Sequence, residues 1–389
     1  MRFIYAIILA ICFVRPCCAE TAKTIGIFTY KCAQVKPWDA DSIKSGIAGS
    51  EEAIIYMAQE LAKLGYKVSV YANPPTNSNH TKADANPRYI PLDNDSGTHL
   101  DIAIAWRMAD AAERLRKRAD LVYLWPHDTF HWKTPDAMIN GFQDVLWISQ
   151  WQRKQWASVN PAFAKFKHIF GNGIAPDQFK PVQERANPHA CIYGSNYARG
   201  LEILLNIWPD IKKQFPRATL DIYYGWQHWG LLTAEKEQKM RKQVADLVPL
   251  DVKEHGMVGH EELNRAYEKA SLWTYPCTAP ETFCITALRA QLAGAVPVII
   301  EGSALPETVR YGYKTTGPAQ YKDTLIKALQ ESEKISLADR QKMGAFILKE
   351  YTWEAIARKW KALFDDDTAK AQKGNSKSKS LAAIGVGAS

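Results

Sequence analysis

The sequence predicts an α/β protein built of two Rossmann-like, doubly wound halves facing a central cleft. Three observations carry this. At 389 residues the chain exceeds the length at which one hydrophobic core keeps growing, so two domains are expected. Short apolar runs of strand type alternate with amphipathic helices along almost its whole length, the pattern of a parallel sheet covered on both faces. The series then starts over after Gly171-Asn172-Gly173-Ile174-Ala175-Pro176, whose turn chemistry marks a crossing between domains.

Composition narrows the partners. An apolar fraction of 47% with 23% charged residues is ordinary for a folded soluble domain. Thirteen Trp and seventeen Tyr mainly fill core and interface, leaving some free to stack on sugar rings or bases. The net charge of +8 suits an acidic ligand or peripheral contact with membrane phosphates. No helix carries the dense Lys/Arg face of a nucleic-acid binder, so nucleic acid is not expected.

The two ends read differently from the middle. Residues 1–19 hold Arg2, an apolar run from Ile4 to Val14 and small residues up to Ala19, which resembles a signal peptide. Export or membrane association stays open there against a functionless extension of a cytoplasmic protein. Residues 366–389, with Lys370, Lys373, Lys377 and Lys379 among Ser, Ala and Gly, are expected to be disordered. Cys12, Cys17 and Cys18 belong to the first segment. Cys32, Cys191, Cys277 and Cys284 are scattered without a CxxC pair, so buried thiols are expected rather than disulfides or a metal site.

In the first half, residues 22–172, Thr24 to Tyr30 reads as a strand. A polar loop follows, and a helix closes at Leu64 with Ile54, Ile55, Ala58, Leu61 and Ala62 on one face. Gly65 stops it, and Lys67 to Tyr71 is the next strand. The unit lacks G-x-G-x-x-G and a Walker A sequence, which disfavours a dinucleotide-dependent dehydrogenase. Asp101 to Arg107 and Leu121 to Asp128 are two buried strands ending in polar groups. His127-Asp128 at such an end is a candidate acid–base or positioning pair, with a structural histidine as the alternative. Val145 to Ser149 is a further strand, and a helix begins at Gln150.

The second half, residues 173–350, opens on the strand Ala190 to Gly194. A loop bearing Ser195, Asn196 and Arg199 leads to an amphipathic helix from Leu201 to Phe215, and Ala218 to Gly225 is the next strand. Arg199 at the mouth of that helix is suited to a phosphate, being planar, permanently charged and close to free N–H groups. Gly256-Met257-Val258 then turns into a helix from Glu262 to Ala270. Ser271 to Pro276 is a buried strand, the loop after it carries Glu281, a helix opens at about Phe283, Gly294 stops it, and Val296 to Ile300 follows. That acid lies at the carboxyl end of a strand, where open parallel sheets bind ligands, and the helix aims its positive N-terminus at the same crevice. Helices at Tyr321 to Glu331 and Leu337 to Glu350 complete this half. A last one, residues 351–365, is expected to return to the first domain.

Several blocks in this order resemble retaining glycosyltransferases of family four, which have the two-Rossmann (GT-B) fold. They are Gly49-Ser50-Glu51-Glu52, His127, Asn172-Gly173-Ile174, Gly256-Met257-Val258 with Glu262-Leu263, and Glu281-Thr282-Phe283 through Gly294-Ala295-Val296-Pro297-Val298. The resemblance spans roughly Lys23 to Phe364. It implies transfer of a sugar from a nucleotide-diphosphate sugar to a glycan, lipid or protein hydroxyl, without cofactor or metal. By the same resemblance Glu281, His127 and Arg199 are catalytic, and Gly49, Ser195 and Asn196 face the donor with Thr282, Phe283, Cys284, Ile285 and Arg289. The turn Gly256, Met257 and Val258 would hold the base.

Four positions depart from the pattern: Arg289 replaces a second glutamate that accepts from the ribose, Cys284 replaces a Gly, Ala48 replaces the first of a Gly pair, and Ser195 replaces a cation. Arg has no acceptor to offer, so Arg289 either turns to a phosphate or weakens donor binding. A catalytically impaired scaffold that binds sugar nucleotide or glycan is therefore the alternative. A sugar-nucleotide epimerase and a two-domain solute receptor are more distant ones.

Overall fold

Alternation of strand and helix resolves into two sheets. The computed structural model describes residues 22–32, 35–226 and 231–384, with side chains described as far as residue 373; the signal-like residues 1–19 lie outside them. The first domain runs β1 (Thr24–Phe28), α1 (Gly49–Lys63), β2 (Lys67–Ala72), β3 (Arg88–Pro91), β4 (Leu100–Trp106), β5 (Ala119–Trp125), β6 (Asp144–Val145) and α2 (Gln150–Val159). The second runs β7 (Ala190–Gly194), α3 (Leu201–Gln214), β8 (Thr219–Tyr223), α4 (Ala234–Leu247), β9 (Val252–Gly256), α5 (His260–Lys269), β10 (Leu272–Tyr275), α6 (Ile285–Leu292), β11 (Val296–Ile300), β12 (Tyr313–Thr315), α7 (Tyr321–Glu331), α8 (Leu337–Glu350) and α9 (Trp353–Ile384).

Both sheets have six strands, ordered β3-β2-β1-β4-β5-β6 and β12-β11-β10-β7-β8-β9. Every pairing is parallel, with Ile25 opposite both Val68 and Ile102 in the first sheet and Leu272 opposite both Val296 and Cys191 in the second. This is the doubly wound order of a Rossmann half, twice over. In each sheet the winding reverses between its first and fourth strands in sequence, β1 and β4 or β7 and β10. The loops leaving those strands open a crevice.

The central strands are buried end to end. Ile25, Ile27, Val68, Val70, Ile102 and Ile104 belong to the core that α1 covers, and Cys191, Ile192, Leu220, Leu272, Val298 and Ile299 form that of the second domain. The edge strands β3, β9 and β12 are short, and each is broken by charged residues or by Pro. They escape an apolar-run reading for that reason.

The domains are joined by more than the chain crossing. Trp353, Ile356, Trp360 and Phe364 of α9 lie buried in the first domain's core. Gly173 passes against the backbone of Trp353 so closely that an added Cβ would sit 2.5 Å from its nitrogen. Glu307, in the short helix Leu305–Thr308 of the second domain, accepts from the backbone N–H groups of Gln150 and Trp151, both at 2.8 Å. It thereby caps the start of α2 across the boundary.

The tail corrects the sequence reading. Rather than disorder from residue 366, α9 continues to Ile384. Asp367 is buried and accepts from Tyr123 Oη at 2.9 Å, while Lys361–Asp365 and Lys370–Asp366 pairs support the helix one turn apart. No helix among the described residues is long and apolar enough to cross a membrane.

Candidate active site

The two crevices face each other and merge into one cleft of about 540 Å³, lined from both domains. The second domain's wall comes from the loops after β7 and β10. Gly200, at φ +97°, lets these loops touch, since any Cβ there would collide with the carbonyl of Pro276. That contact sets Arg199 beside Pro280-Glu281. Arg199 Nη1 donates to the Pro280 carbonyl at 3.2 Å and lies 3.4 Å from Glu281 Oε2, which also accepts from Tyr275 Oη at 2.8 Å. The Glu281 carboxylate, only 8% exposed, holds the Arg199 guanidinium more firmly protonated than usual.

Helix α6 starts at Ile285, two residues later than the sequence suggests. Its cap residue Cys284 makes no side-chain cap bond, and its carbonyl accepts from the Ala287 N–H at 3.1 Å. Thr286 Oγ1 donates to the Gly194 carbonyl at 3.3 Å and pins this helix start to the end of β7. Arg199, Ser195, Asn196 and the α6 N-terminus thus converge on one stretch of the cleft, chemically an anion seat.

The first domain's wall is built around Arg107, which leaves β4 at φ +64°. Its guanidinium stacks on Trp106 at 4.4 Å, donates to Ser50 Oγ at 2.9 Å and ion-pairs with Asp128 at 2.9 Å. Asp128 is therefore committed to Arg107 and does not orient His127. His127 sits against Trp125 and Trp106, and its buried Nε2 has no hydrogen-bond partner among the described residues. Burial, with the Arg107 charge adding to it, pushes this imidazole well below its ordinary pKa, so it is neutral. Its carbonyl accepts from Thr282 Oγ1 of the other domain at 2.8 Å, a direct tie across the cleft. Beside it, burial raises the Glu51 carboxyl, and Glu51 Oε2 is likewise unpartnered. Gly49 also lines the cleft, where a Cβ would meet only Ile285 Cδ1 at 3.8 Å. The protein's own packing does not demand a glycine at this position.

Not every residue expected at the donor lies on the wall. Gly256, Met257 and Val258 are absent from the lining, and Met257 and Val258 pack against Gly46 of the first domain. Cys284 and Phe283 reach the lining but are mostly buried, Cys284 in the second domain's core and Phe283 in the first domain's, against Tyr351. Arg289 lines the cleft yet is engaged elsewhere: Nη2 donates to Glu52 Oε1 at 2.8 Å and Nη1 to Asn264 Oδ1. Around this pair, Glu52 Oε2 is 3.7 Å from His260 Nε2, His260 Nδ1 is 3.3 Å from Tyr56 Oη, and Tyr56 donates to Gln178 at 3.0 Å. Burial lowers His260 to about 4, so it too is neutral. Glu52, Arg107, Asn264 and Tyr275 are the residues that sequence reasoning passed over. Asp39, Asp41 and His80, the metal-capable group among the described residues, have ligand atoms within 4.8 Å of one another but do not line the cleft.

No protein-family model matches the chain, and no curated protein matches it in sequence. Solved structures do match in shape. The chain is similar to a sucrose-phosphate synthase from Thermosynechococcus elongatus, with 13% identity, a TM-score of 0.68 and coverage of 90% of this chain and 100% of that one. It is similar to HepE of Anabaena in complex with UDP-glucose, with 14% identity, a TM-score of 0.66 and coverage of 90% and 100%. A glycosyltransferase from Rickettsia africae gives 12% identity and a TM-score of 0.65 over 89% and 99%. The chain has the GT-B fold, two Rossmann-like domains about a cleft.

Proposed function

We propose that this chain is a glycosyltransferase, moving a sugar from a nucleoside-diphosphate sugar to a hydroxyl acceptor with retention at the anomeric carbon. The observation that carries the reading is the Arg199–Glu281 pair, set with the open N-terminus of α6 at the winding reversal of one sheet and facing its counterpart in the other. Neighbours of the same fold support it, HepE having been solved with UDP-glucose and with UDP and glucose.

In this reading the bond from the anomeric carbon to the diphosphate oxygen breaks and negative charge grows on the leaving phosphate. Arg199 and the α6 N–H groups stabilise that charge, a term worth roughly 100- to 1,000-fold in rate for each preorganised donor. Glu281, held in place by Tyr275 and Arg199, accepts from sugar hydroxyls. His127 lines the opposite wall and positions the sugar from there. Because cationic and dipolar donors do the work, the mechanism calls for no divalent metal. The acceptor, a hydroxyl on a glycan, lipid or protein, enters from the first domain's side, and a membrane-borne acceptor suits the chain's positive charge. Tight apposition of the two walls keeps water from competing as acceptor.

One observation favours a second reading, an impaired scaffold that binds donor without turning it over: the guanidinium at 289 is spent on Glu52 and Asn264. Incubating the protein with a panel of nucleotide sugars, with and without acceptor extract, separates the two. The transferase reading expects acceptor-dependent release of nucleoside diphosphate that survives EDTA, and a product whose anomeric coupling in NMR matches the donor's. Donor-dependent thermal stabilisation without release would establish the scaffold instead.

A further inference from the structure

The Glu52–Arg289 pair bridges the domains within the cleft wall, and its chemistry bears on how a donor is read. A nucleoside diphosphate presents a ribose diol, two O–H donors that need an acceptor, best an ionised carboxylate. Four carboxylates line the cleft: Glu51, Glu52, Asp128 and Glu281. Asp128 is tied to Arg107 on the first domain, and Glu281, held by Tyr275 and Arg199 at the anion seat, is already assigned to the hydroxyls of the transferred sugar. Glu51 is buried on the first domain's wall, where it faces the Arg107 charge. Glu52 remains.

Its location fits. Arg289 lies four residues into α6 from Ile285, about 6 Å along the axis from the N-terminal anion seat. That is close to the span between a diphosphate and the far hydroxyls of its own ribose. Arg289 grips Glu52 Oε1, whereas the nearest cation-capable neighbour of Oε2 is His260 at 3.7 Å, beyond hydrogen-bond reach and neutral.

We infer that Glu52, a side chain of the first domain, reads the ribose diol of the donor across the cleft through Oε2, with Arg289 holding its carboxylate in place. This rests on the transferase reading and adds to it a specificity-determining residue. Donor held by the second domain would then also be bound by the first, so that nucleotide binding and closure of the cleft reinforce each other.

The test compares ribonucleoside diphosphates with their 2′-deoxy counterparts (UDP, ADP and GDP against dUDP, dADP and dGDP) by titration calorimetry. Wild type should prefer the ribo form of its best nucleotide by roughly 10- to 100-fold, the worth of a hydrogen bond to a charged group. The double variant Glu52→Gln/Arg289→Gln removes both charges together, leaving no lone buried ion, and should bring the preference below about 3-fold. Glu52→Asp, which keeps the charge but withdraws the carboxylate by one methylene, should do the same. A purely structural pair would alter affinity for both forms alike and leave the ratio intact. An unchanged ratio in either folded variant, or equal binding of both forms by wild type, overturns the inference while the transferase reading stands. Failure of wild type to bind any nucleoside diphosphate overturns both.

Discussion

Glutamate placed at position 289 should destabilise this protein rather than improve its donor binding. Arg289 lies 2.8 Å from Glu52 Oε1, with side chains only 3% and 5% exposed. Removing one partner of so buried a pair leaves an uncompensated charge, typically at a cost of about 3–5 kcal/mol. Arg289→Glu goes further by placing a second carboxylate against the first and against Asn264 Oδ1, so a loss of at least about 3 kcal/mol is expected. Domains commonly hold only about 5–15 kcal/mol in total, so this is a large share. Urea unfolding at pH 7.5, followed by tryptophan fluorescence, measures it directly. The charge swap Glu52→Arg/Arg289→Glu should recover more than half of the loss, because each charge regains its opposite. Were Arg289→Glu alone within about 1 kcal/mol of wild type, the buried clasp between the domains would not exist as described.

Other consequences are as specific. His260 is depressed to about 4 in the folded state against an ordinary value near 6.5, so the unfolded chain binds the extra proton between those values and stability falls with the pH. The loss from pH 7 to pH 4.5 should be about 2 kcal/mol from this group, and it should be absent from the pH dependence of His260→Gln. Gly173→Ala would force a Cβ to within 2.5 Å of the Trp353 backbone nitrogen and should cost about 2–3 kcal/mol, seen as a lower urea midpoint and easier proteolysis near residue 173. His127→Asn should lower turnover about 100-fold while the variant, though less stable for the lost contacts with Trp125 and Trp106, still unfolds cooperatively in urea.

Much of the architecture was legible because parallel strands buried on both faces write themselves as apolar runs. β1, β4, β5, β7, β10 and β11 all do so. The edge strands were not: β9 reads Val252-Lys253-Glu254-His255-Gly256 and exposes one side to water. Glu281 and Arg199 could be placed because their loops follow unmistakable strands and precede helices. The extension of α9 went unseen because Ser, Ala and Lys compositions serve helix and disorder alike, and the contact that fixes Asp367 comes from Tyr123, 244 residues away. Glu52 was overlooked for the same reason. Two acids in the first turn of a helix are ordinarily solvated partners of its dipole; here both are buried, and Glu52 is enclosed by Arg289 and His260 of the second domain. The Asp39, Asp41 and His80 group likewise joins residues from separate loops.

The account stands or falls on an anion held on the second domain's wall of the cleft by Arg199 and the start of α6. Calorimetric titration of nucleoside diphosphates into wild type and Arg199→Gln addresses this directly. At least one should bind wild type, and the same ligand should bind the variant at least about 10-fold more weakly, in keeping with loss of one charged hydrogen bond. Equal binding by the two proteins would mean that the guanidinium faces no phosphate and that the cleft serves another ligand.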